Sequence, residues 1–319
     1  MAHLVETMAF ANDVPWHGLG NRIDAHQPIE FWQRQAGMAF SIEETPVRFM
    51  TESPAILGPI MSFPQQKVLY RSDTKAALSV VSARYKVVQP KEILEFYRDL
   101  VDVSGFELET AGVLKEGRKI WALARTNQSA TMKGNDILNG YLLLATACDG
   151  TLATTAQFTS IRVVCNNTLA VALSDGAGAV KVPHSTSFDP NKVKAQLGVS
   201  VSQWDTFMYK MKGLADRKVK TTEAFNYFLR VFTDPSNPAT GLTNERAMTK
   251  AMSLYEGQGK GAELASSKST AFGLLNAVTE FVDHERRARS PDYRLESAWF
   301  GQGASLKKKA LDEALIMLA

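Results

Sequence analysis

The chain has 319 residues, and 36 lysines and arginines against 33 aspartates and glutamates give a formal net charge of +3. Because 45% of the residues are hydrophobic and 22% are charged, the composition excludes a mainly disordered chain, and the length allows one large domain or two ordinary ones. The sequence has only two cysteines and no basic segment before an apolar N-terminal core, which argues against secretion and favours the cytoplasm. It also has no run of about eighteen apolar residues, which argues against membrane spanning.

The first 66 residues differ from the rest in charge and in proline content. Residues 1–66 carry three basic and seven acidic residues, and residues 67–319 carry 33 basic and 26 acidic residues. Six prolines fall within residues 1–66, and proline interrupts regular elements. This composition predicts an N-terminal arm (residues 1–66) with a helix near 28–35 and a strand near 47–50.

Residues 67–190 have the pattern of paired strands and are predicted to form an α+β core domain. Pro90 opens an amphipathic helix, and the dipeptide Asp149-Gly150 supplies the positive φ angles of a tight hairpin turn. After Ser160, a good N-cap residue, residues 162–173 are predicted to form a helix on the sheet, whose N–H groups are suited to a phosphate. Three hairpins are predicted: 68–71 with 78–81, 106–114 with 120–124, and 141–148 with 151–158.

Residues 191–319 are predicted to form a helical C-terminal region. Apolar residues recur at helical spacing from Val193 to Met211, and further helices are expected at 222–232, 244–255, 270–288 and 305–318. The predicted class is therefore α+β: an antiparallel β-hairpin or meander sheet packed with helices, followed by a mainly helical C-terminal half.

Catalytic motifs are missing from the sequence. The five histidines are scattered and lack metal-ligand spacing, and Cys148 has the character of a buried hydrophobic residue. The stretch Gly257–Gly261 lacks the spacing and the preceding strand of a phosphate-binding loop, and is interpreted as a mobile loop. We therefore expect no enzyme, no metal and no cofactor.

Cationic and aromatic residues interleave along the hairpins, as they do in grooves that bind single-stranded nucleic acid. The alternative is that they decorate an ordinary sheet edge. Basic clusters at 210–220, 286–289 and 307–309 are interpreted as solvated helix ends. The candidate nucleic-acid-binding residues are Arg71, Lys75, Arg84, Tyr85, Lys86, Arg118, Lys119, Trp121, Arg125, Lys133 and Arg162.

Five segments carry a resemblance to a known family. They are Trp16-His17-Gly18-Leu19-Gly20, RSDTKAALSVVSARYKVVQ (71–89), IRVVCNNTL (161–169), NAVTEFVDH (276–284) and ESAWFGQGASLKKKAL (296–311). In this order they resemble the phage/plasmid-like family that carries the domain of unknown function numbered nine-thirty-two. The resemblance covers nearly the whole chain and implies a home on phages, plasmids and integrated elements, but it implies no chemistry.

A second resemblance concerns architecture alone. Hairpin, helix, further hairpins and a closing helix resemble the core of phage single-strand annealing recombinases, which form rings or filaments and pair DNA strands without ATP. The resulting hypothesis is an ATP-independent, homo-oligomeric protein that binds and anneals single-stranded DNA in recombination. The alternative is a structural or interaction protein of a mobile element that acts on a protein partner without nucleic-acid contact.

Overall fold

A computed structural model describes residues 5–12, 14–15, 18–53, 56–165, 167–170, 179–197, 201–233 and 244–318. These residues form sheets of antiparallel strands followed by a mostly helical C-terminal region, which confirms the predicted α+β class. In chain order the strands are β1 (Val5–Phe10), β2 (Asn21–Arg22), β3 (Ile42–Ser53), β4 (Ile56–Arg71), β5 (Ala77–Ser82), β6 (Glu107–Leu114), β7 (Lys119–Met132), β8 (Asp136–Ala147), β9 (Thr154–Arg162), β10 (Asn167–Ala170) and β11 (Val180–Val182).

In the described part of the chain, two α-helices lie between strands and the others follow the last strand. In chain order the α-helices are α1 (Ile29–Gln35), α2 (Pro90–Ser104), α3 (Pro190–Leu197), α4 (Val201–Asp216), α5 (Thr221–Phe232), α6 (Glu245–Ser253), α7 (Ala271–Glu280), α8 (Pro291–Phe300) and α9 (Gln302–Ile316). A π-helical turn follows α6 at Leu254–Gln258, and another follows α7 at Phe281–Glu285. The helices expected at 222–232, 244–255, 270–288 and 305–318 all form, and α8 is an additional helix.

The strands divide into two sheets. The eight-stranded large sheet has the order β10–β9–β8–β7–β6–β1–β2, with β11 paired to β9, and only β1 and β2 run parallel. The small sheet has the order β3–β4–β5. All three predicted hairpins are confirmed, the first as β4–β5 in the small sheet and the others as β6–β7 and β8–β9 in the large sheet.

The N-terminal prolines do not prevent long strands, which corrects the prediction made from proline density. Pro46 lies in β3, and Pro59 and Pro64 lie in β4. The pairing of β3 with β4 shifts between Pro46 and Val47, opposite Pro64, and again near Pro59. Because a bulge leaves some backbone groups outside the ladder, a residue without an N–H group is tolerated there.

The helix predicted for residues 162–173 does not form. Strand β9 runs to Arg162, a turn follows, and β10 pairs back onto β9 with Asn167 opposite Arg162. The β-branched Val163 and Val164, which lie in this turn, have low helix propensity, and β10 completes the edge of the sheet. No helix N-terminus is therefore available near Ser160, while residues 166 and 171–173 lie outside the described part.

The large sheet is covered on both faces. On one face, Tyr97 of α2 is fully buried, and its Oη atom lies 2.9 Å from the carbonyl oxygens of both Ala122 and Leu142. On the other face, Trp121 of β7 packs edge-on against Trp299 of α8, with ring centroids 4.8 Å apart. On the central strands, the side chains that project to either face of the sheet are therefore buried.

A buried ion pair joins the large sheet to the segment that precedes α7. Arg162 and Asp136 are 3% and 1% exposed, and Arg162 Nη2 lies 2.7 Å from Asp136 Oδ2. Arg162 Nη2 also donates to Ser267 Oγ and to the carbonyl of Gly261, and Ser266 Oγ donates to Asp136 Oδ2. These hydrogen bonds compensate for much of the cost of burying two charges.

Replacing Arg162 by methionine should lower the free energy of unfolding by about 3–5 kcal/mol, because the Asp136 carboxylate would remain buried without its cation. Urea denaturation measures the loss. Lys133→Met is the matched control, since Lys133 forms an exposed ion pair with Asp216, and there we expect a loss below about 1 kcal/mol. Equal losses in the two variants would contradict a structural role for the buried pair.

Candidate nucleic-acid interface

Four of the eleven predicted nucleic-acid-binding residues lie inside the fold. Arg71 is buried over the Phe40 ring, Lys119 and Arg162 are buried against carboxylates, and Trp121 is fully buried. The partners of the cations are Asp73 for Arg71, Glu296 for Lys119 and Asp136 for Arg162. None of these four side chains is placed to contact a strand at the surface.

The remaining seven residues lie on several different elements of the fold. Arg118 and Lys133 flank the two ends of β7, whose 14 residues span roughly 45 Å. Lys75 lies at the turn of the small sheet and pairs with Glu43. Arg125 pairs with Glu107, and Lys133 pairs with Asp216. The structure therefore does not bring the predicted set together into a continuous trough.

The segment Arg84-Tyr85-Lys86 combines two exposed cations with a half-buried ring. Tyr85 stacks on His184 with ring centroids 4.3 Å apart, and its hydroxyl donates to the carbonyl of Ala147. His184 is held in turn by the carbonyl oxygens of Lys86 and Leu152. Because the Tyr85 ring stacks on His184 and both side chains are hydrogen-bonded to the backbone, Tyr85 anchors the loop. Arg84 and Lys86 remain exposed beside it.

A basic cleft in the helical region is the strongest candidate site. It has a volume of about 930 Å³ and lies between the end of α5, α6, the turn after α7, and α9. Among the described residues, its lining contains five cationic side chains and one carboxylate, that of Glu285. We call it the basic cleft, and its cations are Arg246, Lys250, Arg286, Arg287 and Lys309.

The cations of the basic cleft are only partly neutralised by the protein. Lys250 lies 3.3 Å from Glu285. Lys309 donates to the carbonyl of Thr233, and Arg286 donates to Ser297 Oγ and Gln302 Oε1, so both bind neutral oxygens. Burial lowers the pKa of Arg286, although an arginine stays charged at neutral pH. A desolvated cation with neutral partners in a cleft attracts an anion.

The floor of the basic cleft is apolar and partly aromatic. Phe232 and Phe281 meet edge-on with ring centroids 5.5 Å apart, and Val231 and Leu306 line the same space. A flat apolar surface beside cations can accommodate a ligand that has both a ring and a phosphate.

A second buried ion pair holds two walls of the basic cleft together. Lys307 of α9 donates to Asp283 Oδ1 and to Thr168 Oγ1, and Asp283 Oδ2 accepts from the backbone N–H of Thr168. All three residues are buried. Burial lowers the pKa of Lys307, while the Asp283 carboxylate opposes that shift. The pair fixes α9 and the turn after α7 onto β10, and so sets the spacing between Lys309 and Arg286.

Sequence reasoning missed the basic cleft although its residues were visible. Arg286, Arg287 and Lys309 belong to clusters whose positions in the sequence indicate solvated helix ends. The sequence does not show that α5, α6 and α9 converge on one space, because this convergence depends on tertiary packing. Trp16 and His17 of the first resemblance segment lie outside the described residues.

The chain matches the family described as "Domain of unknown function (DUF932)" over residues 77–299, which is more than half of its length. The chain belongs to this DUF932 family. No curated protein and no solved structure matches it. The matched segment includes most of the large sheet and three walls of the basic cleft, while α9 lies beyond it.

Several other features of this DUF932 chain bear on its chemistry. Burial raises the pKa of both Cys148 and Cys165 to about 12, so their thiols stay protonated at neutral pH. The backbone N–H of Lys260, within the glycine-rich stretch, donates to the Glu280 carboxylate.

The described residues contain no group of three or more histidine, cysteine, aspartate or glutamate side chains placed to hold a metal ion. Across the same residues, no helix is both long enough and apolar enough to span a bilayer.

His284, beside the basic cleft, should make stability depend on pH. Burial lowers its pKa below 6.5, and its Nε2 atom lies 2.9 Å from the carbonyl of Cys165. As the pH falls through about 6.5, the unfolded chain takes up a proton on this ring before the folded protein does, so the free energy of unfolding decreases. Urea denaturation at pH 7.5 and 5.5 (about one unit on either side) measures this decrease. It should be smaller in His284→Gln, and an equal decrease in both proteins would contradict the assignment.

Proposed function

We propose that this DUF932 protein binds single-stranded DNA in the basic cleft and acts, without ATP, in strand annealing or recombination. The observation that carries the proposal is the composition of the described part of the cleft lining: five cations and one carboxylate, above an apolar floor with two phenylalanine rings. Cationic side chains bind the phosphates of a nucleic acid, and aromatic rings stack on its bases.

Each wall of the cleft has a role in this proposal. Arg246 and Arg287 are exposed at the cleft and contact phosphates of the incoming strand. Arg286 lies deeper and binds one phosphate more strongly because it is partly desolvated. Phe232, half-buried, offers its ring to a base. Only an unpaired base can turn its face to such a ring, so the aromatic floor favours single strands over duplex.

The biological setting is proposed from the resemblance to the phage/plasmid-like family. The protein then acts in the cytoplasm of a bacterial host that carries the phage or plasmid. In this proposal the protein acts as a homo-oligomer, so that neighbouring subunits hold one strand together. No bound cofactor is required for this function.

Replacing Arg246 and Arg287 together by alanine should weaken binding of a fluorescent single-stranded oligonucleotide by at least about tenfold. The dependence of log K on log salt should become shallower by roughly 1.4, because each lost phosphate contact to a single strand contributes about 0.7. Fluorescence anisotropy at several salt concentrations measures both quantities, with a duplex and an RNA of the same sequence as comparisons.

The matched control is Arg84→Ala with Lys86→Ala, which removes the same charge from the exposed hairpin segment. If the strand binds in the basic cleft, this control keeps nearly full affinity and slope. A larger loss of affinity in the control than in the cleft variant would show that the strand binds at the hairpins and not in the basic cleft. Failure of the unaltered protein to bind any of the three nucleic acids would overturn the proposed function.

A further inference from the structure

An apolar stripe runs along one face of the small sheet. In β3, residues 45, 47 and 49 project to the same face because side chains alternate along a strand. Directly paired residues of neighbouring strands share a face, and the pairs here are Val47–Phe63, Phe49–Met61 and Val68–Val80. We call this set the apolar stripe, and its members are Val47, Phe49, Met61, Phe63, Val68 and Val80.

The apolar stripe is open to solvent. Phe49 is 48% exposed, Met61 47%, Phe63 41% and Val80 55%. The opposite face of the same sheet is buried at the end that packs on the core, which we call the base. There Leu69 and Val81 are 0% and 7% exposed. The base of the small sheet is therefore fixed to the core through one face, while the stripe on the other face is left uncovered by the described part of the chain.

The size and charge of the stripe point to a particular partner. Four half-exposed side chains, together with the partly buried Val47 and Val68, offer on the order of 400–500 Å² of apolar surface. The stripe residues carry no charge, so two identical stripes can meet without repulsion. Such a pair would bury at most about 800–1,000 Å², which reaches the lower bound of specific interfaces and is in the range of weak ones. An exposed apolar patch of this extent is typical of an interaction site.

We propose that a second copy of this chain packs on the apolar stripe. The two small sheets lie face to face across a two-fold axis, about 10 Å apart, with each stripe covering the other. Because the buried area is near the lower bound, the dimer is weak and depends on protein concentration. The proposal does not depend on nucleic-acid binding, since the stripe and the basic cleft share no residue.

The test is the mass of the full-length protein in solution, by sedimentation equilibrium from about 1 µM to about 1 mM, a range that covers weak dissociation constants. The unaltered protein should change from monomer to dimer within this range. Phe49→Asp with Met61→Asp should remain monomeric throughout. Its thermal unfolding, measured at the lowest concentration, should match that of the unaltered protein, because both side chains are exposed in the monomer.

The neighbouring cross-strand pair provides a matched control. Met50 and Ile60 are paired, are 50% and 66% exposed, and project to the opposite face of the same ribbon. Met50→Asp with Ile60→Asp should therefore dimerise like the unaltered protein. If both double variants lose the dimer, the stripe is not the specific interface; if the unaltered protein stays monomeric, the stripe serves an unlike partner. Either result overturns the proposal. Should the first variant unfold, Phe49→Ser with Met61→Ser replaces it.

Discussion

Two buried ion pairs attach the C-terminal helices to the large sheet, and the placement of the basic cleft depends on them. Arg162 with Asp136 ties β8 and β9 to the segment before α7, and Lys307 with Asp283 ties α9 to the turn after α7. A buried ion pair contributes little net stability compared with apolar packing, but it tolerates few alternative arrangements, because an unpaired charge in a core is costly. In this fold the two pairs therefore act mainly as position-setting contacts: they determine which helix turns face each other across the cleft.

A second constraint, the burial of both faces of the large sheet, explains why Lys119 and Trp121 are unavailable for a ligand. A meander with one solvated face would expose every second side chain of β7, and Lys119 and Trp121 would then lie at the surface together. Here α8 covers that face, so Trp121 packs on Trp299 and Lys119 requires the Glu296 carboxylate. The interleaving of cationic and aromatic residues in this strand is thus a product of burial on both faces.

Local signals in the sequence were sufficient for most of the elements. The Asp149-Gly150 turn, the proline at the start of α2 and the helical stripes all correspond to elements that form, because each signal acts over a few residues. The helix predicted after Ser160 failed because the pairing of β10 with β9, a contact within the sheet, prevailed over an N-cap preference. Burial of Arg71, Lys119 and Arg162 also could not be foreseen, since their acidic partners lie in other elements or, for Asp73, in a turn whose geometry sets the contact. The domain boundaries at 66 and 190 stay predictions.

The separation of the basic cleft from the apolar stripe has a consequence for binding strength. The cleft is built from helices of the C-terminal region, whereas the stripe lies on β3, β4 and β5, so occupying one leaves the other open. Two copies joined through their stripes would carry two clefts at a fixed separation. A strand long enough to reach both would bind the second cleft at a high effective concentration, and its overall affinity would exceed that of a single cleft without any new contact. Short strands would gain nothing from the pairing. If both proposals hold, a weak contact between small sheets would make the basic cleft bind long single strands more tightly than short ones.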